Sequence, residues 1–206
     1  SKFLKECIDS VLNQEYQNIE YIIVDAGSKD GSREIIESYD NKIIKIFEND
    51  NGPADGLNKG FKAASGNILA FLNSDDFLAP NALSYVMSFF SKNKLCDVLS
   101  GGSYIVNESG MVLRKFYSDK MNLTRFAYEG VILSQPSTFF TKNIFMKCGG
   151  FNSDNHSNWD GELFCDMAIC GANFFKTDNL LSSYRLQVES ITSSGSMDKQ
   201  HKLHQN

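Results

Sequence analysis

Helical and strand-like patterns alternate through the first 92 residues of this chain. Apolar side chains recur at helical spacing in residues 2–13, and a mainly apolar run at residues 19–27 is typical of a buried strand. The alternation continues with helix 31–39, strand 42–48, helix 54–64, strand 67–72 and helix 81–92. Strands separated by helices usually form a parallel sheet that is covered on both faces. We therefore predict an α/β fold with a mostly parallel sheet flanked by helices.

A doubly wound sheet normally opens on a strand, whereas this chain opens on a helix. We therefore expect the first strand of the fold to be missing from the chain. Beyond residue 95 the pattern changes to antiparallel strands with two further helices, which predicts a smaller antiparallel part. We predict one domain over residues 1–206, with halves at 2–95 and 96–192 and a polar, mobile tail at 193–206.

Charge and cysteine content exclude several classes of protein. The net charge of −5 argues against a broad electrostatic surface for nucleic acid. Five scattered cysteines without a CxxC pair favour a reducing compartment, and the three histidines do not have zinc-ligand spacing. We find no signal peptide and no apolar run long enough to span a bilayer. These features predict a cytoplasmic protein that does not bind nucleic acid.

Two adjacent carboxylates, Asp75 and Asp76, follow the apolar strand 67–72. Neighbouring side chains on a strand point to opposite faces, so the chain has to turn to bring both carboxylates near one point. A divalent cation would remove their repulsion, and hard carboxylate oxygens suit Mg²⁺ or Mn²⁺. The alternative is a solvated loop that caps the helix after Pro80.

Two other acidic positions lie where an α/β sheet binds ligands. Asp25 ends the first visible strand, and ligands of open α/β sheets bind beyond the carboxyl ends of the strands. The following turn accounts for Asp30 or Ser32 as helix caps, but it leaves Asp25 unexplained. Asp160 and Glu162 open a later helix, where they would either cap it or supply a general base.

Three separated segments carry a resemblance to a known family: ECIDSVLNQEYQNIEYIIVDAGSKDGS, DNGPADGLNKGFKAASGNILAFLNSDD and GGF…WDGELFCDM. Their order and spacing resemble those of the family 2 glycosyltransferases, over residues 2 to about 192. These are inverting, nucleotide-sugar-dependent enzymes with the Rossmann-like GT-A fold. The resemblance implies that residues 2–95 bind the nucleotide sugar, that residues 96–192 face the acceptor, and that Mn²⁺ or Mg²⁺ is the cofactor.

The resemblance also implies roles for individual residues. It makes Asp160 the catalytic base, with Glu162 as a supporting acid. The metal ligands would be Asp75 and Asp76. The positions implied for nucleotide-sugar binding are Asp25, Asp55, Asn58, Lys59, Asn73 and Asp75, and those on the acceptor side are Gln135 and Trp159. Two positions depart from the family pattern, because Ala26 and Asn73 each replace a frequent Asp.

The function implied by this resemblance is transfer of a sugar from a nucleoside diphosphate sugar to an acceptor hydroxyl. The expected setting is synthesis of bacterial surface polysaccharide or glycoconjugate, with a saccharide or lipid-linked saccharide as acceptor. Peripheral contact with the inner membrane face would follow from a lipid-linked acceptor. A segment containing Arg185 and Ser190–Ser196 would close over the diphosphate, or else form a disordered end. Other readings are a sugar nucleotidyltransferase, a glycoside hydrolase and a non-catalytic nucleotide- or sugar-binding fragment.

Overall fold

A computed structural model describes residues 1–128 and 130–187. The helices are α1 (Leu4–Leu12), α2 (Ser32–Glu37), α3 (Pro53–Ala63), α4 (Ala82–Lys92), α5 (Leu123–Tyr128), α6 (Lys142–Lys147) and α7 (Trp159–Ile169). The strands are β1 (Ile22–Val24), β2 (Ile44–Ile46), β3 (Ile68–Leu69), β4 (Phe77–Leu78), β5 (Val98–Val106), β6 (Val112–Tyr117), β7 (Thr138–Thr141) and β8 (Phe174–Arg185). The predicted tail, residues 193–206, lies outside the described residues.

The α/β fold is confirmed, but the sheet is more mixed than the predicted, mostly parallel one. Strands β1 and β2 form a parallel pair, and a second sheet has the order β3-β7-β5-β8-β4 with β6 paired to β5. Among the described strands, only β1–β2 and β5–β8 are parallel. The reason is that β7 and β8 return from the second half and insert beside β3, β4 and β5.

Two local features also differ from the prediction. Ser32 does not cap α2, because Gly31 is the N-cap in the left-handed region at φ +87°, and Asp30 Oδ1 instead accepts from the Ser32 backbone N–H at 3.2 Å. The antiparallel strands predicted beyond residue 95 end in one 12-residue strand, β8, which pairs in parallel with β5. Its length lets β8 pair with both β5 and β4, so its last residue reaches the turn that follows β3.

An aromatic core fixes α3, α6 and α7 against the sheet. The ring centroid of Phe61 on α3 lies 4.7 Å from that of Phe145 on α6 and 5.7 Å from that of Phe151. Helix α7 contributes the buried residues Leu163, Phe164 and Met167, as its periodicity predicts. The helices that begin at Pro53 and Trp159 therefore share one rigid core.

Every helix in the described part of the chain is too short or too polar to cross a bilayer. Helices α3, α4 and α7 have 11 residues each, which is the greatest length among the described helices.

Candidate active site

The turn after β3 places Asp76 inside the protein. The Asp76 side chain is almost completely buried, and its Oδ1 accepts a hydrogen bond from the backbone N–H of Arg185 at 2.9 Å. Its Oδ2 has no hydrogen-bond partner among the described residues. Burial, with the charge of Asp75 as a smaller cause, raises the pKa of Asp76 to about 8. The Asp76 carboxyl group therefore joins the β3–β4 turn to the end of β8.

The assignment of Asp75 and Asp76 as metal ligands stays a prediction, and the two acids differ in burial. Asp75 is only partly buried, and its Oδ2 accepts a hydrogen bond from the side-chain amide of Gln187 at 2.5 Å. The two neighbouring acids therefore have different surroundings, and Asp75 is the accessible one.

The donor set at this turn fits a metal that is shared with a substrate. Within residues 1–128 and 130–187, no three His, Cys, Asp or Glu side chains gather into a metal-binding group. Mg²⁺ is commonly held by one or two carboxylates together with substrate phosphates and water. Asp75, the accessible acid, fits that description, whereas Asp76 is buried.

Arg185 anchors the turn, a role that the sequence did not reveal. Its side chain is 1% exposed, and its Nε donates to the backbone oxygen of Asp75 at 2.9 Å. Its other nitrogens donate to the backbone oxygen of Glu108 at 3.0 Å and to the carboxylate of Glu6 at 2.5 Å. The guanidinium also stacks on Phe3, 4.3 Å from the ring centroid.

The expectation that Arg185 belongs to a segment closing over a diphosphate is therefore wrong, since its donors are already used inside the protein. Ser190–Ser196, the rest of that segment, lies outside the described residues. An arginine at a strand end gives no sequence signal for such burial, because its partners are 77 or more positions away along the chain.

Asn73 and Gln135 meet at the same turn, although 62 positions separate them. The Asn73 side-chain amide donates to Gln135 Oε1 at 3.2 Å, and Gln135 Nε2 donates to the Phe71 backbone oxygen at 2.7 Å. A buried hydroxyl network supports the turn that carries Gln135. In this network Ser103 Oγ lies 2.9 Å from Ser137 Oγ and 2.6 Å from Ser182 Oγ. The structure thus joins an acceptor-side residue to the strand end.

Asp25 has partners within its own turn, although the sequence left it unexplained. Its carboxylate accepts from the backbone N–H of Ser28 at 3.1 Å and from Arg33 Nε at 3.3 Å. The Arg33 guanidinium lies 4.2 Å from the ring centroid of Phe47. Burial opposes ionisation of Asp25, but the hydrogen bonds from Ser28 and Arg33 outweigh it and lower the pKa. A ligand at Asp25 would share this carboxylate with Arg33 or displace it.

The predicted donor-binding residues of α3 contact neighbouring loops. Asp55 accepts from the backbone N–H of Asn51 at 3.0 Å and pairs with Lys59 at 3.5 Å. The ammonium of Lys59 also donates to the backbone oxygen of Asn49. Asn58 instead reaches across to Phe151, where Nδ2 donates to the backbone oxygen at 2.8 Å and Oδ1 accepts from the N–H at 3.0 Å. These side chains organise both loops that border the start of α3.

Asp160 is the second residue of α7 and does not cap it. The N-cap position is Asn158, and no side-chain cap forms there. Burial raises the pKa of the Asp160 carboxyl group above its ordinary value, although the N–H groups of Gly161 and of Asp160 itself partly oppose this. Trp159, which precedes it, packs against the aromatic core. A half-buried carboxylate of raised pKa has the properties of a general base.

Glu162 has different surroundings, although it lies on the same helical turn. Its carboxylate accepts hydrogen bonds from Asn152 Nδ2 at 2.9 Å and from Asn155 Nδ2 at 2.5 Å. These bonds lower the pKa of Glu162. Glu162 therefore ties the preceding loop to α7.

Comparisons with known proteins bear on the family and the fold of this chain. Residues 1–152 match the model of the family described as glycosyl transferase family 2. An uncharacterized glycosyltransferase of Rickettsia typhi is 26% identical over 190 residues, which cover 89% of this chain and 60% of that protein. The chain thus spans well under two thirds of the length of this relative.

Two solved structures share the fold. Staphylococcus aureus TarS in complex with UDP-GlcNAc has a TM-score of 0.76 at 21% identity, covering 94% of this chain and 58% of TarS. The mannosyltransferase PcManGT from Pyrobaculum calidifontis, in complex with GDP-Man and Mn²⁺, has a TM-score of 0.71 at 16% identity, covering 97% and 57% of the two chains. The predicted GT-A fold is confirmed. Since the family model matches most of its length, the chain belongs to glycosyl transferase family 2.

Proposed function

We propose that this chain transfers a sugar from a nucleoside diphosphate sugar to an acceptor hydroxyl, with inversion at the anomeric carbon. The observation that carries the proposal is Asp160, a half-buried carboxylate of raised pKa in the first turn of α7. Its helix shares one rigid core with α3 and β3. Support also comes from the two structural neighbours, which hold UDP-GlcNAc and GDP-Man.

In the proposed reaction the acceptor hydroxyl gives its proton to the Asp160 carboxylate. The acceptor oxygen then bonds to the anomeric carbon from the face opposite the diphosphate. The bond from that carbon to the diphosphate oxygen breaks, and the nucleoside diphosphate leaves with the electron pair. A raised pKa makes Asp160 a stronger base, and general-base catalysis typically contributes about 10²–10⁴-fold.

Asp75 is the residue that we propose to hold Mg²⁺ or Mn²⁺ together with the diphosphate oxygens. When bound, such a cation neutralises the charge that builds on the leaving diphosphate. Arg185 keeps the Asp75 backbone in place, because it donates hydrogen bonds to the Asp75 backbone oxygen and to the Asp76 carboxylate. The Mn²⁺ in the PcManGT complex supports metal use but does not identify the ion for this chain.

The remaining residues border the proposed substrates. We propose that Asp25 contacts the nucleoside, with Asp55, Lys59 and Asn73 shaping the donor side and Gln135 and Trp159 bordering the acceptor. The side-chain amide of Asn58 is already bonded to the backbone of Phe151. Synthesis of surface polysaccharide or glycoconjugate is the proposed setting, with peripheral membrane contact where the acceptor is lipid-linked.

The test is a thermal-stability titration with UDP and with GDP, each with and without Mn²⁺. We expect one nucleotide to raise the melting temperature in a metal-dependent manner, and Asp75→Asn to abolish that rise. Turnover of the matching sugar nucleotide, lost in Asp160→Asn, would complete the test. Donor binding without turnover would favour the alternative of a non-catalytic binding module.

A further inference from the structure

The loop between α6 and α7 is held to α3 by one side chain. Asn58 makes two hydrogen bonds to the backbone of Phe151, one to the N–H at 3.0 Å and one to the C=O at 2.8 Å. The Phe151 ring is buried against Phe61, which lies one turn further along α3. The start of the loop therefore follows α3 as a rigid extension.

The other end of the loop is held to α7. Glu162 accepts from the side chains of Asn152 and Asn155. Asn155 Oδ1 in turn accepts from the backbone N–H groups of Ser157 at 3.0 Å and Asn158 at 3.1 Å. Because Asn158 is the N-cap position of α7, this chain of contacts fixes the point at which the helix begins.

The middle of the loop also lies against the donor-side loop that precedes α3. A Cβ placed on Gly52 would come within 3.2 Å of His156 Nδ1, and Gly52 has a φ of +133° that favours glycine. Hence the loop touches the start of α3 at Gly52, the middle of α3 at Asn58 and the start of α7 at Glu162.

We propose that residues 150–158 form a clasp that positions Asp160 relative to the donor-side helix α3, with Asn58 and Glu162 as its two positioning residues. The inference rests on the proposed function, because it takes Asp160 as the base. It gives both residues roles different from those implied by the family resemblance, where Asn58 binds the donor and Glu162 is a supporting acid.

The first test uses the only tryptophan of the chain, Trp159, which stands between the clasp and Asp160. Acrylamide quenching of its fluorescence is measured for Asn58→Ala, Glu162→Ala and the double variant. We expect quenching to rise in each single variant. The double variant should show less than the sum of the two effects, because both changes release one loop. Asn41→Ala and Glu34→Gln, at exposed positions far along the chain, are the matched controls.

Unchanged quenching in both single variants would overturn the proposal. Glu162→Gln keeps one acceptor oxygen for the two asparagines, so its quenching should lie between the wild type and Glu162→Ala. A Glu162→Gln variant as perturbed as Glu162→Ala would show that charge, rather than the tie to the loop, matters at this position.

The second test separates positioning from donor binding. With the sugar nucleotide that the wild type uses, Asn58→Ala and Glu162→Ala should lower kcat about 10–100-fold, as expected when a reacting group is misplaced. The Kd of the nucleoside diphosphate, measured by calorimetry, should stay unchanged. Weakened nucleotide binding with an unchanged kcat would overturn the proposed clasp and would show that Asn58 acts in donor binding. If the wild type uses no sugar nucleotide, the proposed function fails, and the quenching experiment alone decides whether the loop is clasped.

Discussion

The two acidic pairs of the site, Asp75–Asp76 and Asp160–Glu162, divide their roles in opposite ways. At the strand end, both acids accept a hydrogen bond, Asp76 from the Arg185 N–H and Asp75 from the Gln187 amide, and Asp76 is the buried one. At the helix start, the member bonded to its surroundings is the more exposed one, Glu162, while Asp160 is half-buried.

This difference teaches that burial alone does not identify the reactive acid of a pair. Hydrogen-bond partners alone do not identify it either, because Asp75 accepts from Gln187 while Oδ2 of the buried Asp76 has no partner among the described residues. We propose Asp75 and Asp160 as the reactive members, although Asp75 is the more accessible of its pair and Asp160 the less accessible.

The largest effect is expected from removing the base. Asp160→Asn should lower kcat about 10²–10⁴-fold, because the amide cannot take the acceptor proton. Nucleotide binding, followed by calorimetry, should be retained. The contrast with Glu162→Gln sharpens the comparison, since that change weakens only the tie to the loop. An Asp160→Asn variant with full activity would show that another residue is the base.

The next effect concerns stability at the strand end. Arg185→Met should lower the free energy of unfolding by about 1–3 kcal/mol, because it leaves the part-buried backbone oxygens of Asp75, Asn107 and Glu108 without their donor. Urea unfolding measures the change. Arg114→Met, at an exposed position on β6, is the matched control and should change stability little. Equal losses in both variants would contradict the anchoring role of Arg185.

Asp75 and Asp76 can be separated by their response to metal and nucleotide. Ligand at 100 times its Kd stabilises a protein by about 2.7 kcal/mol, and Asp75→Asn should lose most of the metal-dependent part of this gain. Asp76→Asn should keep it, because its amide oxygen still accepts from the Arg185 N–H. The readout is the melting temperature with and without Mn²⁺. Loss in Asp76→Asn alone would restore Asp76 as the metal ligand.

The smallest expected effect is a pH dependence at Asp160. A base acts in its ionised form, so kcat should fall as the pH is lowered through the raised pKa of Asp160. That fall should begin at a higher pH than an ordinary aspartate would give. The same raised pKa means that ionised Asp160 costs stability above the unfolded-state pKa. Asp160→Asn should therefore melt at a higher temperature than the wild type at pH 7, with the difference shrinking towards pH 4.

The sequence by itself determined the α/β fold, the core-facing side of α7 and the places where the acids cluster. Hydrophobic periodicity is a local property, so Leu163, Phe164 and Met167 could be recognised as core residues without any partner. The ends of strands and helices are equally local, and they put Asp25, Asp75 and Asp160 at element boundaries.

The tertiary structure alone decided the burial and the hydrogen-bond partners of the strand-end acids, because these depend on groups far away in the chain. Asp76 is bonded to a residue 109 positions away, and Arg185 reaches Glu6 across 179 positions. The insertion of β7 and β8 into the sheet has the same origin, since strand pairing links segments without a shared local pattern. A sequence pattern encodes which face of an element is apolar, whereas hydrogen-bond partners are set only when distant elements pack together.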